Sequence, residues 1–254
     1  MKKSGLRNFT VLILALILTL VTLPFAFSKS GNIINVTSST LILPSINLAK
    51  KGVTENNLLL NLYTTLNLSE KGLTQEAFEN AIKGYAYLKS SGKLKNEHVI
   101  SIVDFTLSST KKRLFIIDLD KQEILFNTYV AHGQKTGEEF AKSFSNNPES
   151  YQSSPGFYIT SDTYCGKNGY SMHLLGQENG FNDKANERAI VMHGAHYVSE
   201  SFIKTRGFLG RSWGCPAVPE NLNKPIIETI KNGTCLFIFT PDNKYLSESK
   251  ILNS

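Results

Sequence analysis

The chain has 254 residues, enough for one core domain and a smaller accompanying part. With 41% hydrophobic and 19% charged residues it has an ordinary globular composition and can bury a sizeable core. The formal charge of +6 comes from 27 basic and 21 acidic residues, but three of the basic ones, Lys2, Lys3 and Arg7, stand at the start. Without them the balance is only +3. No Lys/Arg cluster with interleaved aromatics occurs, so a nucleic-acid partner is excluded; an anionic wall polymer is compatible with the charge but not implied by it.

Those three basic residues precede an apolar run, Phe9 to Leu23, and a small-x-small site, Ala26-Phe27-Ser28. This pattern predicts a secretory signal peptide over residues 1–28, cleaved before Lys29. The run from Phe9 to Phe27 is also just long enough for an uncleaved anchor. Pro24 and the small-residue site favour cleavage, which leaves an exported chain, in a periplasm or cell wall, with no stable membrane association. No cysteine precedes Cys165, which excludes a lipid-modified cysteine at the start.

Residues 29–97 read as a flexible lead and a helical region. Gly31 to Pro44 is rich in Ser, Thr and Asn. Between Asn47 and Leu68, the leucines 58, 59, 62 and 66 recur at helical spacing. A clearer helix opens at Thr74, a capping residue, and carries Phe78, Ile82, Tyr85 and Leu88 on one face before Gly92. That stripe is core, packed on the domain that follows.

From His98 the period changes to that of strands. The runs His98 to Leu107, Arg113 to Leu119 and Ile124 to Val130 are β-rich, and Asp120-Lys121-Gln122 joins the last two as a hairpin. Ala131 to Ser154 is a long polar loop, a length usually functional or mobile. Gly156 to Thr163, Tyr170 to Leu175 and Arg188 to His193 continue the strands. Asn223 to Lys231 is a short helix, and Thr234 to Thr240 is a final strand. Many short strands with few helices predict a mainly β protein, a two-sheet sandwich over 98–245 with a small N-terminal helical layer. Residues 246–254 read as a tail.

The chemistry gathers between His193 and Pro219. His193 closes an apolar run, Ala189 to Met192, so it sits at a strand end where a side chain can leave the core. Cys215 stands between Gly214 and Pro216. The residue before proline is driven to extended geometry, so Cys215 lies outside a helix. A thiol attacks as thiolate and needs a base or cation nearby; His193 is the nearest candidate in sequence. Gly214 lets the backbone approach a ligand closely. The N–H groups of Gly214 and Cys215 are candidates to face a developing oxyanion. A lone cysteine is more often a small buried hydrophobe. The run from Gly207 to Pro219, with three glycines and two prolines, does not look like a core strand.

Three cysteines leave at least one thiol unpaired in an exported chain. Cys165 and Cys235 can pair, or Cys235 can be an inert buried thiol in its apolar strand. A zinc site built on His193, His196 and Cys215 lacks both C-x-x-C and H-x-x-x-H spacing, so no metal and no cofactor is expected.

With these residues in view, the chain resembles the YkuD-type L,D-transpeptidase catalytic domain. The resemblance rests on His193-Gly194 followed by Ser212-Trp213-Gly214-Cys215, and most closely on the branch ending Gly-Arg-Ser-Trp-Gly-Cys-Pro-Ala-Val-Pro, Gly210 to Pro219. Asp104-Phe105, Val130-Ala131-His132-Gly133, Ser154-Pro155-Gly156-Phe157 and Gly180-Phe181-Asn182-Asp183 with Arg188 extend it back to about His98. It departs from the commoner family pattern at Trp213, where histidine is usual, and at Pro216-Ala217. The resemblance implies acyl transfer on peptidoglycan stem peptides. Cys215 is the nucleophile, His193 the base, Ser212 an orienting hydroxyl, and Arg211 a candidate for a substrate carboxylate. A second pair, His132-Gly133, offers an alternative base; the family pattern favours His193, leaving His132 and Trp213 to line the cleft. Water in place of an amine as second substrate gives a carboxypeptidase. A protein-cutting cysteine peptidase and an inactive wall-binding module are the rivals from other classes. Nothing in the sequence fixes the oligomeric state.

Overall fold

In the computed structural model, residue 59 and residues 61–254 are described. The expected signal peptide, the flexible lead and the start of the 47–68 helical stretch lie outside the described residues. The elements are α1 (Gln75–Ser90), β1 (Val99–Asp104), β2 (Leu114–Asp118), β3 (Glu123–Thr128), β4 (Gly156–Gly166), β5 (Gly169–Gly176), β6 (Val191–Gly194), α2 (Glu200–Arg206), β7 (Ala217–Val218), α3 (Glu220–Ile230), β8 (Cys235–Phe239) and α4 (Asn243–Glu248). The class is mainly β, as expected. The strands, however, join into one mixed eight-stranded sheet rather than two, in the order β3-β2-β1-β8-β4-β5-β6-β7.

That sheet is buried on both faces, which is why its central strands read as unbroken apolar runs. Along β8, Cys235, Phe237 and Phe239 enter one core with Phe78, Ile82 and Tyr85 of α1. Leu236 and Ile238 enter the other with Ile226, Ile227 and Ile230 of α3. Strand β4 divides the same way, Phe157 and Ile159 against Tyr158. The Phe157 and Phe237 rings stack 4.1 Å apart. Burying each such side chain stabilises by roughly 2 kcal/mol. Gly84 lets α1 lie directly on Phe157: a Cβ there would stand 1.9 Å from the ring.

The ends of the strand order meet. Ala131, just past β3, bridges Ala217 in β7, and Gly133 bridges Ser212. The sheet therefore curls back on itself, and the stretch singled out in the sequence lies at this seam.

Two expectations change, and one open alternative is decided. Arg188 to Ile190 precede the strand rather than start it: Ala189 takes a left-handed φ of 51°, and β6 begins at Val191. Residues 246–254 are packed down, with Ile251 and Leu252 buried in the α1 core beside Tyr245. Cys165 and Cys235 do not pair. Cys165 is exposed at the end of the β4–β5 hairpin, whereas Cys235 is buried opposite Ile159 in the middle of the sheet; all three cysteines are free thiols. Among the described residues, no helix is long and apolar enough to cross a membrane, and no group of three or more His, Cys, Asp or Glu is placed to hold a metal.

Candidate active site

Strands β6 and β7 run parallel, with His193 opposite Ala217 and Gly194 opposite Val218. Carrying that register back two residues sets Val191 opposite Cys215, and the Val191 N–H indeed points at the Cys215 Sγ, 3.5 Å away. The sulfur also lies 3.7 Å from the Ala189 carbonyl. Cys215 is half-buried at the seam and His193 stands two positions further along the adjoining strand. No hydrogen bond joins the two side chains.

The His193 ring is fixed in one tautomer. Its Nδ1 lies 3.0 Å from the Gly194 carbonyl, which can only accept, so Nδ1 carries the proton and Nε2 keeps its lone pair. Burial lowers the pKa of the imidazole below its ordinary 6.5, which leaves it neutral near pH 7. A backbone carbonyl thus orients the ring, a contact with no sequence signature.

His132, the alternative base, is closed off. Its Nδ1 accepts from Arg113 Nη2 at 2.8 Å, and its Nε2–H donates to the Gly137 carbonyl at 3.2 Å. No lone pair remains to take a proton. Burial and then the neighbouring Arg113 push its pKa down to about 3. At 1% exposure the ring lies in the interior against Phe105 rather than on a cleft wall. Arg113, itself fully buried and pushed down to about 9 by desolvation, donates twice to the Val130 carbonyl and once to that of Leu107.

The cysteine turn is built by Ser212. Its backbone is pinned between His132 and Gln134: the Ser212 N–H donates to the His132 carbonyl at 3.0 Å, and the Gln134 N–H to the Ser212 carbonyl at 2.7 Å. Its hydroxyl donates to the Cys215 carbonyl at 2.6 Å and accepts from the Gly214 N–H at 3.1 Å. Ser212 thus orients the backbone around Cys215 and touches neither its sulfur nor His193. The Gly214 N–H, expected to be free for an oxyanion, is spent on this hydroxyl. Gly214 has a different necessity. Its φ is 125°, and a Cβ would stand 2.7 Å from the Gln152 carbonyl oxygen.

Arg188 is the site residue the sequence did not single out by role. Its guanidinium donates to Ser145 O at 2.7 Å, Gln152 O at 2.6 Å, Ser150 Oγ at 3.1 Å and the Ser154 hydroxyl. It thereby ties the 131–154 loop beneath the cysteine turn. Burial raises the Cys215 pKa, while the Val191 N–H and the Arg188 charge pull it back down. Tyr197 is a second addition. Its phenol is pushed up to about 12 by burial and by the nearby Cys215 charge. Arg188 lies more than 30 residues from the loop it holds and Tyr197 lies 18 from Cys215, so no local motif marks them.

Of the remaining expected residues, Trp213 is 69% exposed and meets Tyr151 edge-on at 5.7 Å. Arg211 donates through Nη1 to the carbonyls of Gly137 at 3.2 Å and Gln134 at 3.4 Å.

An L,D-transpeptidase from Mycobacterium smegmatis is 8% identical, over 56% of this chain and 59% of its own, with a TM-score of 0.35. One from Stackebrandtia nassauensis is 16% identical, over 65% and 66%, with a TM-score of 0.34. The helical cell shape determining protein from Campylobacter jejuni is 12% identical, over 61% and 55%, with a TM-score of 0.36. The chain spans less than two thirds of the length of each of these three. Among curated proteins nothing matches. The family model for the L,D-transpeptidase catalytic domain matches residues 69–239, more than half of the chain and the whole of the seam described above. The chain belongs to the YkuD-type L,D-transpeptidase catalytic domain family.

Proposed function

We propose that this chain is an exported peptidoglycan L,D-transpeptidase that works through a thioester on Cys215. The observation that carries the reading is the His193 tautomer: Nδ1–H is held by the Gly194 carbonyl, and the free Nε2 lies on the strand adjoining the cysteine. In apo geometry such a base–nucleophile contact is often long and tightens with substrate in place.

Nε2 of His193 takes the proton from Sγ. The sulfur attacks the carbonyl carbon of the amide that follows an L-configured centre in a stem tetrapeptide. The oxyanion is met by the Cys215 N–H, a donor worth about 3 kcal/mol in such sites. The C–N bond breaks, His193 returns its proton to the leaving D-amino acid, and a thioester remains. The amine of a second stem, giving its proton to His193, attacks the thioester carbonyl and releases the thiol. Water in place of the amine gives the tripeptide instead. Ser212 and Gly214 hold the turn; Arg211 and Trp213 flank it on the substrate side.

Incubating the purified protein with tetrapeptide-bearing muropeptides and analysing the products by mass spectrometry tests this. Crosslinked dimers are expected, and Cys215→Ala abolishes them. Tripeptides alone turn the reading to hydrolysis. Unchanged muropeptides, or dimers that persist in Cys215→Ala, overturn it.

A further inference from the structure

Beside the cysteine turn lies a cavity of about 300 Å³ that the mechanism does not use. It is lined by Gln134, Phe202, Arg206, Phe208, Gly210 and Arg211. Two guanidiniums share it with two phenyl rings, and no carboxylate lines it. Arg206 ends α2, has neither a hydrogen bond nor an ion pair with any described residue, and is exposed. Gly207, with φ 85°, then turns the chain so that Phe208 folds back, its ring 5.5 Å from the Arg211 guanidinium carbon. Arg211 is anchored through Nη1 alone, which leaves Nη2 and Nε without a partner among the described residues.

Two guanidiniums on one cavity, with no carboxylate among its lining residues, favour an anion there. A guanidinium fork matches a carboxylate. The phenyl walls add a requirement that a bare ion does not meet, because they gain from an aliphatic body beside the charge.

We infer that this cavity is a specificity subsite for a carboxylate carried on an aliphatic arm of the stem peptide, read by Arg206 and Arg211 between Phe202 and Phe208. The inference rests on the stem-peptide reading above. Reach agrees with it. Arg211 stands four residues before Cys215 and next to Ser212, whose backbone is pinned by the Gly133 bridge and the Gln134 N–H. Four extended residues span at most about 14 Å, the length of a tetrapeptide lying alongside. Two carboxylates of a stem meet the description: the terminal one, and one on the side chain of the third residue. An ammonium in either place would face two positive charges.

Binding is separated from turnover by working in full-length Cys215→Ala. Calorimetric titration uses three tetrapeptides with an acidic third residue: unmodified, amidated at the C-terminus, and amidated on the third side chain. One amide is expected to weaken binding about tenfold, the size of one lost charge-assisted contact, and that peptide identifies the source. In Cys215→Ala/Arg206→Gln the difference disappears, while Arg206→Lys in the same background, which keeps the charge but not the fork, retains part of it. Equal affinity for all three peptides, or a preference that survives Arg206→Gln, overturns the subsite. If the peptides bind with the expected preference but the unmutated protein makes no dimers or tripeptides, the transfer reading fails and the subsite stands. If turnover occurs without any preference, the reverse holds.

Discussion

At Cys215 two influences oppose each other, and burial wins: the thiol titrates above its ordinary value of 9.0 despite the Val191 N–H and the Arg188 charge. His193 titrates below 6.5, also through burial. Near pH 7 the resting pair is therefore a neutral thiol and a neutral imidazole, not an ion pair. The thiolate fraction then rises with pH up to and beyond 9, so alkylation of Cys215 by iodoacetamide should keep climbing across that range. Removing the Arg188 charge raises the thiol further; Arg188→Gln should slow the reaction severalfold at about pH 8 and shift its pH profile to the alkaline side. Quantifying the Cys215 peptide by mass spectrometry keeps it apart from exposed Cys165. A rate that levels off below about pH 8 shows a preformed thiolate and contradicts the assignment. That His193 lies on a strand and Cys215 outside a helix was legible from residue type and spacing. The fate of His132 was not, because the Arg113 that fills its lone pair is 19 residues away and buried just before β2.

Among the elements, α1 packs on the sheet through its apolar face and is also tied to it by the pair Thr74–Asp104. Thr74 caps the helix, accepting from the Ala77 N–H at 3.3 Å, and gives both its N–H and its hydroxyl to Asp104 Oδ2, at 3.1 and 2.7 Å. Asp104 ends β1 fully buried, and its other oxygen accepts the N–H and hydroxyl of Thr106 at 3.0 and 2.6 Å. Thr74→Ala removes the cap, about 1 kcal/mol, and a hydrogen bond to a charged group, about 2 kcal/mol. The urea midpoint should fall by the equivalent of roughly 3 kcal/mol, and Thr74→Ser should recover most of it. A loss near zero would separate α1 from the fold's cooperative unit. The helix was legible because it carries a cap and an apolar face at period 3.6, and the central strands because both their faces are buried. Helix α2 was not: it buries none of its residues, so no stripe betrays it. Helix α4 spans six residues and buries only Tyr245. The meeting of the sheet's two ends depends on the single pairs Ala131–Ala217 and Gly133–Ser212, which no periodicity records.

Across the whole molecule, the C-terminal segment and the sheet are held by one buried carboxylate. Glu178 Oε2 accepts from the Phe157 N–H at 2.7 Å and the Tyr245 hydroxyl at 2.9 Å; Oε1 accepts from the Ser249 hydroxyl. Burial raises its pKa above the ordinary 4.5, and these three donors pull it back. Tyr245→Phe keeps the ring in its place against Phe181 but withdraws one donor. An under-satisfied buried acceptor costs about 1–3 kcal/mol. The sign with pH follows from linkage: the variant's native carboxyl titrates higher still, so its native state binds more protons than the wild type's as pH rises past 4.5, and it loses relative stability there. Below that range the carboxyl is protonated in both proteins, and the lost donor matters less. Urea unfolding at about pH 4.5 and about pH 7.5 should therefore show a larger deficit at the higher pH. A deficit that is equal at both would mean that Tyr245 acts through packing alone. Tyr245→Ala, which also empties the ring's place, should cost about 3–5 kcal/mol at either pH. That approaches the whole stability of many domains, so residues 243–254 are expected to unfold with the sheet as one unit.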